Sequence, residues 1–208
     1  MNTVNQWLLK PWVKPLLWLL CAVPAIGLVI GAFTDRLGAN PAETLIHETG
    51  QWALRFLWLT LAVTPLRELA SLHAVVRYRR ALGVTAFVYA LLHLLSYAWL
   101  DKGFVIDDIV HDVVKRNFIL VGMAAFVLMT PLALTSFNRA IRAMGGKRWQ
   151  MLHKLVYAIA LLGLFHFYLK KAAKNDVSEV MVYAVILAVL LGWRAMRRGG
   201  LTAMLKVR

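Results

Sequence analysis

Residues 147–171 read KRWQMLHKLVYAIALLGLFHFYLKK, and this stretch indicates what kind of fold to expect. It has cationic residues at both ends, a long apolar middle, and two histidines, His153 and His166. A helix needs roughly 20 apolar residues to cross the hydrocarbon core of a bilayer. The stretch therefore predicts a membrane-spanning helix that carries one imidazole near each end.

Further apolar segments accompany this one along the chain. Hydrophobic residues make up 61% of the 208 residues, whereas soluble domains have about 45–50%. A helix is the form in which such a segment satisfies its own backbone hydrogen bonds in lipid. The sequence therefore predicts an all-α integral membrane protein, a six-helix transmembrane bundle forming a single domain over residues 1–208. The six predicted spans are residues 15–33, 51–66, 81–100, 118–138, 149–169 and 177–193.

The distribution of charge predicts the orientation of the bundle. The net charge is +14. With the N-terminus in the cytoplasm, 15 of the 24 Lys and Arg residues flank the cytoplasmic ends of the spans and seven flank the opposite ends. The positive-inside rule then predicts both termini in the cytoplasm. Because the cations are spread over short membrane-flanking stretches, they indicate contact with anionic lipid rather than with nucleic acid.

Two kinds of residue that are rare or absent in the sequence exclude several classes of function. The spans hold no Asp or Glu near their middles, which argues against an ion-coupled transporter or a proton pump. The single cysteine, Cys21, excludes an internal disulfide, a CxxCH haem attachment and a cysteine-rich iron–sulfur site.

Three of the six histidines lie in predicted spans and are candidate ligands: His93, His153 and His166. A neutral imidazole with a free nitrogen is what a metal or haem iron binds. The spans 81–100 and 149–169 start on the same side, so His93 and His166 match in depth. This predicts a bis-histidine site for b-type haem between helices 3 and 5. The alternative is that the histidines only pack and hydrogen-bond between helices.

His153 lies 13 residues before His166, about 20 Å along a helix axis, which leaves room for a second haem. The matching level on helix 3 is Arg79, which could be a topology charge, a propionate clamp or an unusual ligand; Tyr78 and water are rivals. Thirteen residues turn an ideal helix by about 220°. Either two haems lie on different sides of the helix, or the helix is distorted between the histidines, with Gly163 as a candidate position.

The sequence also contains cations and a histidine near these candidate ligands. Lys147, Arg148, Lys154 and Arg55 are predicted to pair with haem propionates, since buried carboxylates need cations. His47 lies just before the predicted second helix, where it could cap the helix, line a site or contact a partner.

Four stretches carry a resemblance to a known family: GANPAETLIHETGQWAL (38–54), TLAVTPLR (60–67), RRALGVTAFVYALLHLLSY (79–97) and GKRWQMLHKLVY (146–157). With the later His166, they resemble the MsrQ (YedZ) family, the haem-binding membrane subunit of the bacterial MsrPQ methionine sulfoxide reductase system. This family belongs to the ferric-reductase-like transmembrane group, together with the membrane part of NADPH oxidases. The resemblance extends over nearly all of residues 15–195.

The resemblance implies a function in the bacterial inner membrane. It implies electron delivery to a periplasmic molybdenum-cofactor enzyme, MsrP, which reduces methionine sulfoxide in proteins. It carries over His93, His153 and His166 as haem ligands for one or two haems b, and it puts Arg79 where oxidase relatives have a fourth histidine. The predicted outer loops 34–50, 101–117 and 170–178 are candidate docking surfaces for MsrP.

The resemblance also limits the electron donor. Relatives in the wider group carry a cytoplasmic flavin and nicotinamide domain, for which these 208 residues have no segment. The expected donor is therefore a separate cytoplasmic flavin reductase or membrane quinol. Some family members bind FMN, although the sequence contains no FMN motif. The alternatives are a transmembrane ferric or quinone-type reductase with another acceptor, and a non-redox membrane scaffold.

Overall fold

The fold is helical throughout the described part of the chain. A computed structural model describes residues 3–172 and 175–206, with side chains described up to residue 197. No strand occurs within these ranges. The helices are α1 (Thr3–Leu8), α2 (Val13–Phe33), α3 (Pro41–Leu69), α4 (Arg79–Ser96), α5 (Ile106–Lys115), α6 (Asn117–Leu134), α7 (Asn138–Met144), α8 (Gly146–His153), α9 (Leu155–Ala172) and α10 (Ser178–Lys206). A 3₁₀ helix (His73–Tyr78) precedes α4, and a π-helical turn (Tyr97–Asp101) follows it.

Five helical segments in the described ranges are long and apolar enough to cross a membrane. They are Val13–Phe33, His73–Asp101, Asn117–Leu134, Gly146–Ala172 and Ser178–Arg197. The prediction of an all-α, multi-pass membrane protein is confirmed. The remaining predicted span, 51–66, lies within α3, which is not one of the five, so the count of six spans stays a prediction.

The start of α3 differs from the prediction. The helix begins at Pro41, ten residues before the predicted span, so His47 lies inside it and the predicted loop 34–50 is mostly helical. The Asn40 side chain accepts a hydrogen bond from the Glu43 N–H at 3.2 Å, and Pro41 occupies the first helical position. These are strong helix-start signals. The predicted span began at residue 51 because it was based on the apolar residues alone and did not use the helix-start signal at Asn40 and Pro41.

α3 lies at the centre of the bundle and contacts α2, α4, α9 and α10. Its middle turns are buried: Leu54, Phe56, Leu57, Trp58 and Leu61. Ala86 of α4 and Ala160 of α9 are 0% exposed, and such small residues let helix backbones approach closely in membranes. The two most extensive helix contacts join α3 to α4 and α6 to α9. The bundle is therefore built around two tightly packed helix pairs.

Side chains from other helices satisfy backbone groups near the prolines of α2 and α3. Pro65 has no N–H for the Leu61 carbonyl, which accepts instead from the Arg194 guanidinium of α10. In α2, which contains Pro24, the Tyr89 hydroxyl donates to the Cys21 carbonyl at 2.8 Å and accepts from the Ala25 N–H at 3.0 Å. These hydrogen bonds fix α2 and α10 to the central helices.

The predicted outer loop 101–117 contains the short helix α5. Ile106, Val110 and Val114 project from one face and are 56–73% exposed. Asp112, on another face, is buried and forms an ion pair with Lys102 at 2.6 Å. The third predicted outer loop, 170–178, includes residues 173–174, which lie outside the described residues.

The predicted span 149–169 is divided into two helices. α8 ends at His153 and α9 begins at Leu155. Around Lys154 the backbone hydrogen bonds join residues three apart instead of four apart. The Lys154 N–H donates to the Met151 carbonyl at 3.2 Å, and the Tyr157 N–H donates to the Lys154 carbonyl at 3.1 Å. The distortion between the two histidines thus lies at Lys154. The candidate position Gly163 was wrong, because Gly163 lies inside the continuous α9.

Candidate functional site

His93 of α4 and His166 of α9 face each other, as their matched depth predicts. Their ring centroids lie 6.0 Å apart with the planes at 74°. Imidazole nitrogens bind metals at about 2 Å, so two rings at this separation can bind one metal atom between them. The end of the bundle that contains these two residues is called the paired-histidine end below.

Backbone carbonyls from neighbouring helices hold both rings of the pair. His93 Nδ1 lies 2.7 Å from the Ile46 carbonyl oxygen of α3. His166 Nδ1 lies 2.5 Å from the Phe118 carbonyl oxygen of α6. Because a carbonyl can only accept, Nδ1 carries the hydrogen in both rings and a neutral ring keeps its lone pair on Nε2. This is the tautomer that a metal-binding histidine needs.

His153 is held differently, at the opposite end of the same helical segment. Its Nδ1 donates to the Trp149 carbonyl one turn earlier, at 3.0 Å, and its ring stacks on the Trp149 indole with centroids 3.9 Å apart. Trp149 is fixed in turn, since its Nε1 donates to the Thr135 carbonyl at 3.0 Å. Among the described residues, His153 Nε2 is buried and has no hydrogen-bond partner, although the Leu132 carbonyl also lies close to the ring. An unpaired buried polar atom costs about 1–3 kcal/mol, so this nitrogen is suited to a ligand.

Three of the four cations predicted to bind propionates lie near His153. Lys147, Arg148 and Lys154 are exposed on α8 and at its end, beside His153. Arg79 is exposed at the first residue of α4, close enough for its charge to act on the His153 ring. Arg55 lies elsewhere, where it donates to Gln51 Oε1 at 2.6 Å and to the Tyr183 hydroxyl at 3.0 Å.

A polar cluster at the paired-histidine end was not predicted from the sequence. The Lys170 amine hydrogen-bonds His47 Nε2, and Glu43 Oε1 lies 3.6 Å from that nitrogen. Had the helix-start signal at Asn40 and Pro41 been used, His47 would have fallen on α3 next to Ile46, whose carbonyl holds His93.

The donor set restricts what the site can bind. Within residues 3–172 and 175–206, no three His, Cys, Asp or Glu side chains converge as a bare metal ion requires. Two opposed imidazoles instead suit an iron that brings its equatorial ligands with it, as haem iron does. The residues therefore fit haem at the paired-histidine end, and the unpaired Nε2 of His153 fits a further axial ligand.

Comparisons with known proteins show the family to which the chain belongs. Residues 49–164 match the model of a family described as the ferric reductase like transmembrane component. The chain is 58% identical to the protein-methionine-sulfoxide reductase heme-binding subunit MsrQ of Polaromonas naphthalenivorans over 190 aligned residues. The alignment covers 91% of this chain and 87% of the relative. The chain belongs to the MsrQ family. The proteins of the same name from Azospira oryzae (51% identity; 89% of this chain, 79% of the relative) and Ralstonia nicotianae (48%; 91% and 90%) support this.

The MsrQ resemblance read from the four sequence stretches is thus confirmed. The family-model match runs from α3 to α9, so it includes Arg79, His93 and His153 and ends two residues before His166. No solved structure matches the chain.

Proposed function

We propose that this chain is the haem-carrying membrane subunit of a methionine sulfoxide reductase system, and that it carries electrons across the bacterial inner membrane to a periplasmic molybdoenzyme of the MsrP type. The observation that carries the proposal is the His93–His166 pair, with both Nδ1 nitrogens tied to backbone carbonyls. The relatives named above, which are described as heme-binding subunits, support it.

The protein's part in this function would be to hold two imidazole nitrogens in fixed positions within an apolar bundle. Bound haem b supplies an iron that takes up and releases one electron. The carbonyls of Ile46 and Phe118 fix each ring against rotation and increase the basicity of Nε2. Fixed ligands keep structural change small during electron transfer.

A second haem at His153 extends the path to the other end of the bundle. His153 would be one axial ligand there, and Arg79 would act through its charge, since it is exposed and does not share a hydrogen bond with His153. Lys147, Arg148 and Lys154 would bind propionates at this end. Lys170, beside His47, would do the same at the paired-histidine end, and the pairing of Arg55 with a propionate stays a prediction.

The orientation and the donor complete the proposal. Both termini lie in the cytoplasm, with α3 as the sixth span and residues 1–208 acting as one unit. The paired-histidine end then faces the periplasm and the molybdoenzyme. Electrons enter at the His153 end from a cytoplasmic flavin reductase or from membrane quinol, with FMN as a further candidate cofactor there.

The family model favours one other function. Its description, ferric reductase like transmembrane component, favours reduction of a ferric acceptor; a quinone-type acceptor is the other member of this alternative. A non-redox scaffold is the third alternative, and it requires a protein without haem.

Stopped-flow reoxidation distinguishes these functions. The purified protein is reduced with dithionite, freed of excess reductant, and mixed anaerobically with purified MsrP and methionine sulfoxide, with MsrP alone, or with ferric citrate. With MsrP at a small fraction of the haem concentration, complete haem reoxidation that needs both MsrP and methionine sulfoxide supports the proposal. Reoxidation by ferric citrate alone supports the second function, and a colourless protein supports the scaffold. Flavin content is measured on the same sample.

A further inference from the structure

Gly50 of α3 lies directly against the His93 ring. A Cβ added to Gly50 would lie 2.9 Å from His93 Nδ1 and 3.0 Å from Cε1. Real Cβ atoms essentially never approach another heavy atom more closely than 3.0 Å. Any side chain at residue 50 would therefore push the ring away from α3.

Gly122 of α6 has the same relation to His166. A Cβ there would lie 2.7 Å from His166 Nδ1 and 2.8 Å from Cε1. The same two ring atoms are thus touched in both histidines, on two different helix pairs. A chance close approach would not select the same atoms twice.

The spacing along each helix explains the match. The carbonyl that holds His93 belongs to Ile46, four residues before Gly50, and the carbonyl that holds His166 belongs to Phe118, four residues before Gly122. In an α-helix the carbonyl of residue i accepts from the N–H of residue i+4. With glycine at i+4, the helix surface beside that carbonyl is open, and an imidazole N–H can reach the second lone pair of the oxygen.

Other glycines and the third histidine lack this arrangement. A Cβ on Gly27 or Gly192 would meet nothing within 4 Å, and one on Gly163 would make an ordinary 3.4 Å contact with Leu54. His153 takes its carbonyl from Trp149 in its own helix. The glycine–carbonyl arrangement therefore belongs to the facing pair alone among the three candidate ligands.

We infer that Gly50 and Gly122 are positioning residues for the two haem-binding histidines: each opens the helix surface where a carbonyl at i−4 fixes the ring. The inference rests on the proposed function, because it assigns what sets the orientation of the proposed ligands. A methyl group at either position would displace Nδ1, break the hydrogen bond to the carbonyl and turn Nε2 away from the centre of the site.

Alanine substitution tests this, with Gly27→Ala as the matched control in an open helical position. Haem per chain, the ferric low-spin EPR signal and CO binding by the reduced protein are measured in detergent. Gly50→Ala and Gly122→Ala should weaken haem binding by about 10- to 100-fold, as loss of a ligand-orienting contact does, or yield a CO-binding, five-coordinate fraction. Gly27→Ala should match the wild type. Haem content, EPR signal and CO binding that all equal those of the wild type in both test variants would overturn the inference.

A double-mutant cycle keeps the test decisive if a variant folds poorly. Gly→Ala inside a helix ordinarily favours the helix, so the proposed clash has the opposite sign. Gly50→Ala should lower the unfolding temperature of haem-depleted protein that has His93, and should not lower it in a His93→Ala background. An equal loss in both backgrounds would contradict contact with the ring.

Failure of this inference and failure of the proposed function give different results. If His93→Ala and His166→Ala lose haem while the glycine variants remain unchanged, only the role of the glycines is wrong. If the histidine variants retain full haem, the haem site itself is wrong.

Discussion

At the scale of single residues, the three histidines differ in what holds Nδ1. His93 and His166 each use a carbonyl from a neighbouring helix, whereas His153 uses one from its own helix. A ring tied to another helix stays in place only while both helices are packed together. We therefore expect haem at the paired-histidine end to depend on packing of α3 with α4 and of α6 with α9.

The positions of the candidate ligands could be predicted from the sequence, whereas the backbone groups and glycines that hold them could not. The depth of His93 and His166 followed from counting residues along apolar spans, which is why their facing arrangement was predicted. The role of Ile46 and Phe118 could not be, because a backbone carbonyl has no side-chain signature. Gly50 and Gly122 were equally hidden, since a glycine in an apolar span is ordinary until its neighbour is known.

Arg79→Gln tests the role of charge beside His153. Arg79 is exposed at the start of α4 and its charge acts on the His153 ring. A nearby cation favours the reduced haem, so its removal should lower the midpoint potential of the haem at His153, by an energy on the order of 1 kcal/mol. The absorption bands should not change.

Potentiometric titration of wild type, Arg79→Lys and Arg79→Gln measures this effect. Arg79→Lys retains the charge and should keep the wild-type potential. Altered absorption bands in both variants would show that the guanidinium itself is a ligand.

At the scale of elements, the side chains of α5 form three distinct faces. One face turns towards the protein and consists of Ile109, Asp112 and Val113. The second face is exposed and apolar, and consists of Ile106, Val110 and Val114. The third face is exposed and polar, and consists of Asp107, His111 and Lys115. The preceding turn adds Trp99, which is 64% exposed. Aromatic residues concentrate at membrane interfaces, and amphipathic helices lie there in the plane of the membrane. A helix that contacts protein, lipid and water at once has these three faces.

We predict that the apolar face of α5 is immersed in lipid. Bimane attached at Val114→Cys should be quenched strongly by brominated lipids in proteoliposomes, whereas bimane at His111→Cys should be quenched weakly. Both variants are made in a Cys21→Ala background. Equal, weak quenching at both positions would mean that this face is free for a protein partner.

The attachment of α5 should depend on pH. The Lys102 amine, 2.6 Å from Asp112, holds the pKa of that carboxyl below its usual value, and the Tyr97 hydroxyl and Arg116 act in the same direction. A lowered carboxyl pKa contributes stability that is present above its unfolded value of about 3.9 and is lost as the pH falls through the lowered pKa. The protection factors for hydrogen exchange over residues 106–115, which are corrected for the intrinsic pH dependence of exchange, should therefore fall below about pH 4.

Asp112→Asn is the matching variant for this pH dependence. It should already exchange faster at pH 6, corresponding to about 1–3 kcal/mol of local stability, and should change less on acidification. Asp108→Asn, on an exposed face of α5, is the control. Identical exchange in Asp112→Asn and wild type would show that the ion pair does not hold α5.

At the scale of the whole molecule, two helix pairs each present one histidine to a shared centre. α3 with α4 holds His93, and α6 with α9 holds His166. The apolar spans were predictable because a bilayer demands long uninterrupted runs. The central position of α3 was not, since its polar residues lower its hydropathy. Gln51 and Arg55, for example, are satisfied by Glu179 and Tyr183 of α10.

The orientation of the bundle gives a prediction at the same scale. The positive-inside rule predicts both ends of the chain in the cytoplasm. A green fluorescent protein fused after residue 208 should fluoresce, and alkaline phosphatase fused there should be inactive. The same reporters inserted at Gly103, in the turn between α4 and α5, should give the reverse. Active phosphatase at the C-terminus would invert the proposed direction of electron flow.

The measurement that tests the central claim most directly is the reduced-minus-oxidised absorption spectrum of the detergent-purified protein, with haem quantified per chain. The wild type should give a b-type spectrum, and His93→Ala and His166→Ala should each remove the same haem. His153→Ala should lower the stoichiometry from two to one, and an unchanged stoichiometry would mean that His153 does not bind haem. His73→Ala, in the 3₁₀ helix His73–Tyr78, is the control and should match the wild type. A colourless wild type from haem-replete cells, or full haem in either His93→Ala or His166→Ala, would contradict a haem held between α4 and α9.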